Sequence, residues 1–368
     1  MPQPNPYRIL ISGGGTGGHI FPALAIANTL KARHPHTQFL FVGADGRMEM
    51  TKVPEAGYAI EGLNISGFQR GNIFKNLSLP FKIIGSLFKA NSIINNFKPD
   101  VVVGVGGYAS GPTMWVAAKR GIPVLVQEQN QFAGMTNKLV AKAADKFCVA
   151  YDGMERFFPK ERIVKTGNPV RGEILQRNVT RDEAIKHFNL NGGKKTIMIV
   201  GGSLGARGIN NAIKNNLTAL QQSGHQVLWQ TGKIYFEEMK AAAHGFADVH
   251  AHEFIKRMDL AYEVADVIIS RAGAISISEL SIVGKPVILM PSPNVTEDHQ
   301  TYNAQALVDK GAAIMIKDTE ATGQLIPAVL ALLNNAEQQQ QLATNLKRLA
   351  ITNAAERIAD EVIALIKK

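Results

Sequence analysis

Short apolar runs separated by longer amphipathic stretches set the rhythm of this chain. "YRILIS", "QFLFVG", "DVVVGVGG", "PVLVQEQN" and "KFCVA" fall in the first 165 residues, each paired with a segment of helical character. Strands that are apolar throughout, rather than at alternate positions, are covered on both faces. Spaced by helices, they predict a doubly wound parallel sheet. "FPALAIANTLKAR" predicts a helix with Pro22 in its first turn, where the missing N–H costs nothing. The pattern then restarts: "KKTIMIVGGSLGARGINNAI" is again strand, glycine loop and helix. "ADVIISRAGAISISELSIVGKPVILMPSPN" also parallels "PDVVVGVGGYASGPTMWVAAKRGIPVLVQEQN", at unequal intervals, which indicates a repeated architecture rather than a tandem repeat. At 368 residues the chain exceeds what one core usually organises. The expected fold is α/β, with two Rossmann-like doubly wound domains at residues 1–168 and 169–350. A C-terminal helix at 351–368, "AAERIADEVIALIKK", carries an apolar stripe with which to pack back on the first domain.

Composition narrows the class. Hydrophobic residues at 45% and charged residues at 19% are those of a globular protein. Cys148 is the only cysteine, which excludes an internal disulfide and a cysteine zinc site. Its apolar neighbours predict a buried thiol, and a reducing, cytosolic setting fits. The net charge of +10 suits an anionic partner. No Lys/Arg block interleaved with aromatics is present, so nucleic acid is not expected. The N-terminal stretch lacks a signal-peptide apolar core, and no run approaches the roughly 20 apolar residues that span a bilayer. A soluble or peripheral protein is expected.

The chemistry concentrates in glycine loops. Gly13, Gly15 and Gly18 satisfy GxGxxG between a strand and a helix, the pattern of a dinucleotide site. Its confirming acid should close the next strand, whereas Asp45 comes late, beyond Gly43. A nicotinamide-dependent oxidoreductase therefore stands only as an alternative. Recurrence is the stronger signal, since "GGGTGG", "GGYASG", "GGSLGA" and "RAGAIS" all join a strand to a helix. Such loops gather at the carboxyl edge of an open sheet and bare N–H groups that attract phosphate. There is no P-loop, HExxH or Asp-x-Asp. What remains is an enzyme without a metal site that handles a diphosphate leaving group.

The segments "GGGTGGHIFPALAIA", "GVGGYASGP", "IPVLVQEQNQFAGMTNK", "TGNPVR", "IVGGSLGARGIN", "RAGAISISEL" and "DHQTYNA" resemble, in order, the signatures of the MurG family of bacterial glycosyltransferases. The resemblance covers nearly the whole chain and implies a GT-B fold, two Rossmann-like domains facing across a cleft. It implies inverting transfer of GlcNAc from UDP-GlcNAc to the 4-hydroxyl of undecaprenyl-diphosphoryl-MurNAc-pentapeptide (lipid I), giving lipid II for the cell wall, cell shape and division. UDP-GlcNAc is then a substrate, and no cofactor or metal is implied. Another GT-B glycolipid transferase or a UDP-sugar epimerase is the nearest alternative. Two departures stand out: Gln127 where the family commonly has histidine, and Leu204 where many members have glutamine.

Carried over position by position, the resemblance implies His19 as leading base and Glu128 as second candidate. A neutral-range pKa suits His19 to that task, although a histidine at a helix start also serves simply to hold a loop. Donor contacts fall on Thr16, Gly17, Gly18, Asn130, Arg171, Ser203, Ile255, Ala274, Ile275, Ser276, Ile277, Ser278, Glu279, His299 and Gln300. In this assignment Arg171 meets the diphosphate, Glu279 the ribose, the Ile255 backbone the uracil and Gln300 the sugar. The acceptor diphosphate falls to Gly14, Gly15, Gly106, Gly107 and Tyr108.

"RGNIFKNLSLPFKIIGSLFKANSIINNF" interleaves Phe74, Leu77, Phe81, Ile84 and Phe88 with Lys82 and Lys89. On pattern alone this is the core face of a helix. A polyprenyl-anchored acceptor shifts the expectation toward an anionic membrane surface, with Trp115 as a further anchor. The implied location is peripheral, on the cytoplasmic side of the inner membrane. Cell-wall and division proteins stay open as further partners.

Overall fold

The computed structural model describes residues 6–67, 78–295 and 298–367. The chain forms two compact units, Met1–Val170 with Thr352–Lys368, and Arg171–Ile351. Phe74 and Leu77, expected at the membrane surface, lie outside the described residues.

The first unit is built on seven parallel strands: β1 (Arg8–Gly13), β2 (Gln38–Ala44), β3 (Ala59–Leu63), β4 (Val101–Gly106), β5 (Val124–Glu128), β6 (Lys146–Val149) and β7 (Ile163–Lys165). Their order across the sheet is β3-β2-β1-β4-β5-β6-β7. Ile9, Ile11, Val103 and Leu125 face one core, while Leu10, Val102, Val124 and Val126 face another. This two-sided burial is why the strands are apolar throughout. Cys148 is fully buried in β6, and that burial pushes its thiol far up, out of the reactive range.

Five helices of this unit matter below: α1 (Gly17–Arg33), α2 (Glu49–Glu55), α3 (Leu79–Phe97), α4 (Ser110–Lys119) and α5 (Met135–Leu139). Two details depart from the sequence pattern. The edge strands β3 and β7 escaped it, because "AIEGL" is half-exposed and "IVK" is only three residues long. In addition, α1 begins at Gly17, so Pro22 lies inside the helix rather than at its start. A further helix, Ala354–Ile366, packs on α1 and adds Ile358, Ala359 and Val362 to the β1 core.

The second unit repeats the plan with β8 (Thr196–Val200), β9 (Gln226–Gln230), β10 (Val249–His252), β11 (Val267–Ser270), β12 (Val287–Leu289) and β13 (Ile314–Met315). The order is β10-β9-β8-β11-β12-β13, again all parallel. Trp229 is fully buried at its centre and donates its indole N–H to Asn210 at 3.0 Å.

In both sheets the winding reverses at the centre, between β1 and β4 and between β8 and β11. Ligands of open α/β sheets bind outside the carboxyl ends of strands at such a reversal. All four glycine loops follow one of these four strands. The two reversals are the candidate sites.

Candidate active site

In the first unit the loop after β1 carries His19 in the first turn of α1. Its Nδ1 lies 2.9 Å from the Gly14 carbonyl, which can only accept, so Nδ1 carries the hydrogen. In the neutral ring that tautomer makes Nε2 the basic nitrogen. The imidazole rests over the loop after β4: a Cβ at Gly106 would stand 2.8 Å from Nε2, and Gly106 has a φ of 96°. Only glycine fits there. Tyr108, half-exposed, follows in the same loop.

The loop's amides divide into two groups. Gly14 N–H donates to the Gly106 carbonyl at 3.2 Å, and Gly15 N–H to the Glu49 carboxylate at 2.8 Å. For Gly14 and Gly15 this corrects the picture of N–H groups turned toward a phosphate, since theirs are committed inside the protein. The first-turn amides of Gly17 and Gly18 keep the geometry of an anion site, with Thr16 extended before them. The sequence pattern missed Glu49, which is 1% exposed beneath this loop. Its one signal was the pair of glycines, Gly14 and Gly43, that leave space for it.

Glu128 ends β5, also 1% exposed, with both oxygens engaged. Oε1 accepts the Asn130 N–H at 3.0 Å and its side-chain amide at 3.3 Å; Oε2 accepts the Gly134 N–H at 3.0 Å and Asn137 at 2.8 Å. This carboxylate organises residues 128–137 and has no lone pair left for an acceptor hydroxyl. Gln127 is equally buried, in a network with Gln129 and Asn168.

In the second unit a cavity of about 790 Å³ opens at the reversal, lined by Gly201, Gly202, Arg207, Arg271, Ser276 and Gln300 among others. Of the predicted donor residues it is lined by Ser276 and Gln300. Gln300 is fixed by the Ser292 N–H at 2.9 Å. Ala274 to Ser278 form the start of the helix Ala274–Val283, whose first-turn amides point out of the helix end. Ile277 is buried there, and the Ser278 hydroxyl turns back to the Ala274 carbonyl at 3.0 Å. Ser203 and Leu204 are exposed in the loop after β8. His299 sits half-buried at the start of the helix that carries Gln300. The Ile255 N–H is taken by Gln230 at 2.9 Å.

Arg271 and Asp318 were not predicted. The Arg271 guanidinium pairs with Asp318 and donates to the Met290 and Pro291 carbonyls at 3.1 Å each. Arg171 and Glu279 meet one another. Arg171 Nε and Nη2 reach the two Glu279 oxygens at 2.8 and 3.0 Å, and Tyr262 donates to the same carboxylate at 3.2 Å. Glu279 is therefore buried rather than solvent-facing. Burial works to lower the Arg171 pKa, but the hydrogen bonds and charge of Glu279 outweigh it and hold it raised. Burial and the same negative charge push Tyr262 well up. Among the described residues no group of three His, Cys, Asp or Glu is arranged to hold a metal.

The α3 stripe is not a core face. Its buried residues are Ser86, Ala90, Ile93 and Ile94, while Phe81 is 77% exposed, Phe88 73% and Ile84 53%. Trp115 on α4 and Met135 and Leu139 on α5 extend the exposed apolar surface, α4 contacting both α3 and α5. Lys82 reaches Ser66 at 3.4 Å and Lys89 pairs with Glu61 at 2.9 Å. No helix among the described residues is long and apolar enough to cross a membrane.

Residues 9–149 match the glycosyltransferase family 28 N-terminal domain, and residues 196–361 the family 28 C-terminal domain. A protein of Phocaeicola vulgatus is 55% identical over 364 residues, 98% of this chain and 97% of its own length. It is named UDP-N-acetylglucosamine--N-acetylmuramyl-(pentapeptide) pyrophosphoryl-undecaprenol N-acetylglucosamine transferase. The chain belongs to the MurG family. A like-named protein of Parabacteroides distasonis is 54% identical, over 98% of this chain and 99% of its own. The crystal structure of Acinetobacter baumannii MurG superposes with a TM-score of 0.78 at 30% identity, covering 98% of this chain and all of that one. A UDP-GlcNAc 2-epimerase of Neisseria meningitidis, 15% identical with a TM-score of 0.69, shares the fold alone. The two Rossmann-like units are thus the two halves of a MurG-family GT-B glycosyltransferase.

Proposed function

We propose that this chain transfers GlcNAc from UDP-GlcNAc to the 4-hydroxyl of lipid I, forming lipid II. The observation that carries the chemical assignment is His19, held with its Nδ1–H on Gly14 and its Nε2 basic at the first unit's reversal. In an inverting transfer Nε2 takes the hydroxyl proton as the oxygen attacks the anomeric carbon, and UDP leaves with the bonding electrons. A base of this kind contributes about 10²–10⁴ in rate. Glu128, saturated by donors, keeps Asn130 and the following loop in shape instead.

The second unit takes the donor. First-turn amides of the helix Ala274–Val283 and the arginines of the cavity meet the departing diphosphate, and Glu279, set by Arg171 and Tyr262, accepts from the ribose. Arg171 thereby acts on the nucleotide through Glu279 as well as by its own charge. The exposed surface of α3, α4 and α5 seats the enzyme peripherally on an anionic membrane where the polyprenyl acceptor resides.

The test is transfer of labelled GlcNAc from UDP-GlcNAc to a lipid I analogue, with diacylglycerol as competing acceptor. Product on lipid I alone supports the assignment; product on diacylglycerol overturns it in favour of a glycolipid synthase. UDP-N-acetylmannosamine formed without acceptor would mark an epimerase.

A further inference from the structure

The buried Glu49 belongs to no step described so far. It stands at the start of α2 with each oxygen held by one backbone donor, Oε1 by the Ala44 N–H at 3.0 Å and Oε2 by the Gly15 N–H at 2.8 Å. The chain leaves space for it at two places. A Cβ at Gly14 would lie 2.1 Å from Oε1, and one at Gly43 2.5 Å from its Cγ. Burying a carboxylate is costly, and here it is offset by these two backbone donors, one at the end of β2 and one in the loop after β1.

What the carboxylate touches gives it a task. The Gly15 N–H and the Gly14 C=O belong to one planar peptide unit. That carbonyl is the acceptor of the His19 Nδ1–H at 2.9 Å. A carboxylate drawing on the N–H side of a peptide strengthens its C=O as an acceptor, because hydrogen bonds in a chain polarise one another. This peptide is held at both ends, its N–H by Glu49 and its C=O by His19, with a Cβ at Gly107 standing 2.5 Å from the Gly14 oxygen. The peptide before it is anchored in turn, Gly14 N–H donating to the Gly106 carbonyl at 3.2 Å.

We propose that Glu49 is a positioning residue for His19, acting through the Gly14–Gly15 peptide. It holds the Gly14 carbonyl on Nδ1, fixes the tautomer that leaves Nε2 basic, and supports the imidazolium that forms when Nε2 takes the acceptor proton. Glu49 itself neither gains nor loses a proton. The logic is that of a carboxylate behind a catalytic histidine, with one peptide group inserted between them. This role rests on His19 being the base.

The experiment compares the full-length wild type with Glu49→Gln, Glu49→Asp and His19→Ala. It measures kcat, KM for UDP-GlcNAc, the pH dependence of kcat/KM, and the ¹⁵N spectrum and titration of His19. The wild type should show the Nδ1–H tautomer. Glu49→Gln should lower kcat about tenfold with KM for UDP-GlcNAc unchanged, and move the acid limb of kcat/KM down by about half a pH unit. Glu49→Asp, which keeps the charge, should recover part of the loss. A folded Glu49→Gln with unaltered kcat and His19 titration, beside an inactive His19→Ala, would overturn the role of Glu49 alone. Should Glu49→Gln not fold, the wild-type tautomer decides, and an Nε2–H spectrum overturns the proposal. A His19→Ala protein that keeps its rate overturns the base assignment, and the catalytic role of Glu49 with it.

Discussion

The two units wind their sheets in the same order, the first with one strand more, yet their reversals are built in opposite ways. In the first, the Gly14 and Gly15 amides are committed to Gly106 and Glu49, and what the loop presents is a histidine. In the second, the same position is hollow, a cavity of about 790 Å³ rimmed by helix amides and arginines. One is a rigid mount for a side chain, the other a receptacle. Topology chose where each site lies; the contacts of a few loop residues chose what it does.

Substitutions that damage one unit while sparing the other put this division to the test. His19→Ala should have the largest effect, a fall of about 10²–10⁴ in turnover, with UDP affinity by calorimetry intact. Lost UDP affinity would show the two sites are not separable. Phe81→Ser with Phe88→Ser should weaken binding to anionic vesicles about a hundredfold, leaving soluble-substrate kinetics alone. High salt should weaken the wild type in the same assay, and indifference to both lipid charge and salt would count against membrane seating. Glu279→Gln should raise KM for UDP-GlcNAc about tenfold without changing vesicle binding.

Acidity should act on the second unit, and most gently. His225, His250 and His252 all have lowered pKa values: burial is the chief cause in each, joined by Lys195 for the first and by His250 and His187 for the last. Their ordinary pKa is about 6.5. Below it the unfolded chain binds protons that the folded unit refuses, so stability falls as pH drops from there toward the lowered values. Above it these groups contribute no pH dependence. Thermal melts at pH 7.5 and 5.5 should show the Arg171–Ile351 unit losing stability at the lower pH, and an unchanged melt would contradict the burial of these rings.

Much of this was legible in the chain because parallel strands covered on both faces leave a continuous apolar trace, and glycine loops mark where each turns into a helix. The α1 start was not, since five glycines in six positions hide a helix end. Glu49 reads as an ordinary polar residue, and only packing against Gly14 and Gly43 buries it. Arg171 and Glu279 are 108 residues apart, so no local pattern joins them. The Phe81 and Phe88 stripe was visible, but periodicity states that a helix has an apolar face and not what covers it. The structure puts Ile93 and Ile94 on the protein and leaves the phenylalanines outside.

The helix Ala354–Ile366 completes the core of a unit whose other residues end at Val170. During synthesis the first unit therefore waits, its α1 face uncovered, while the ribosome makes the whole of the second. The growing chain must carry that core unfinished, without Ile358, Ala359 and Val362, for the interval, at about 5–20 residues per second. A frameshift near residue 350 would then harm the distant N-terminal unit before the one it adjoins.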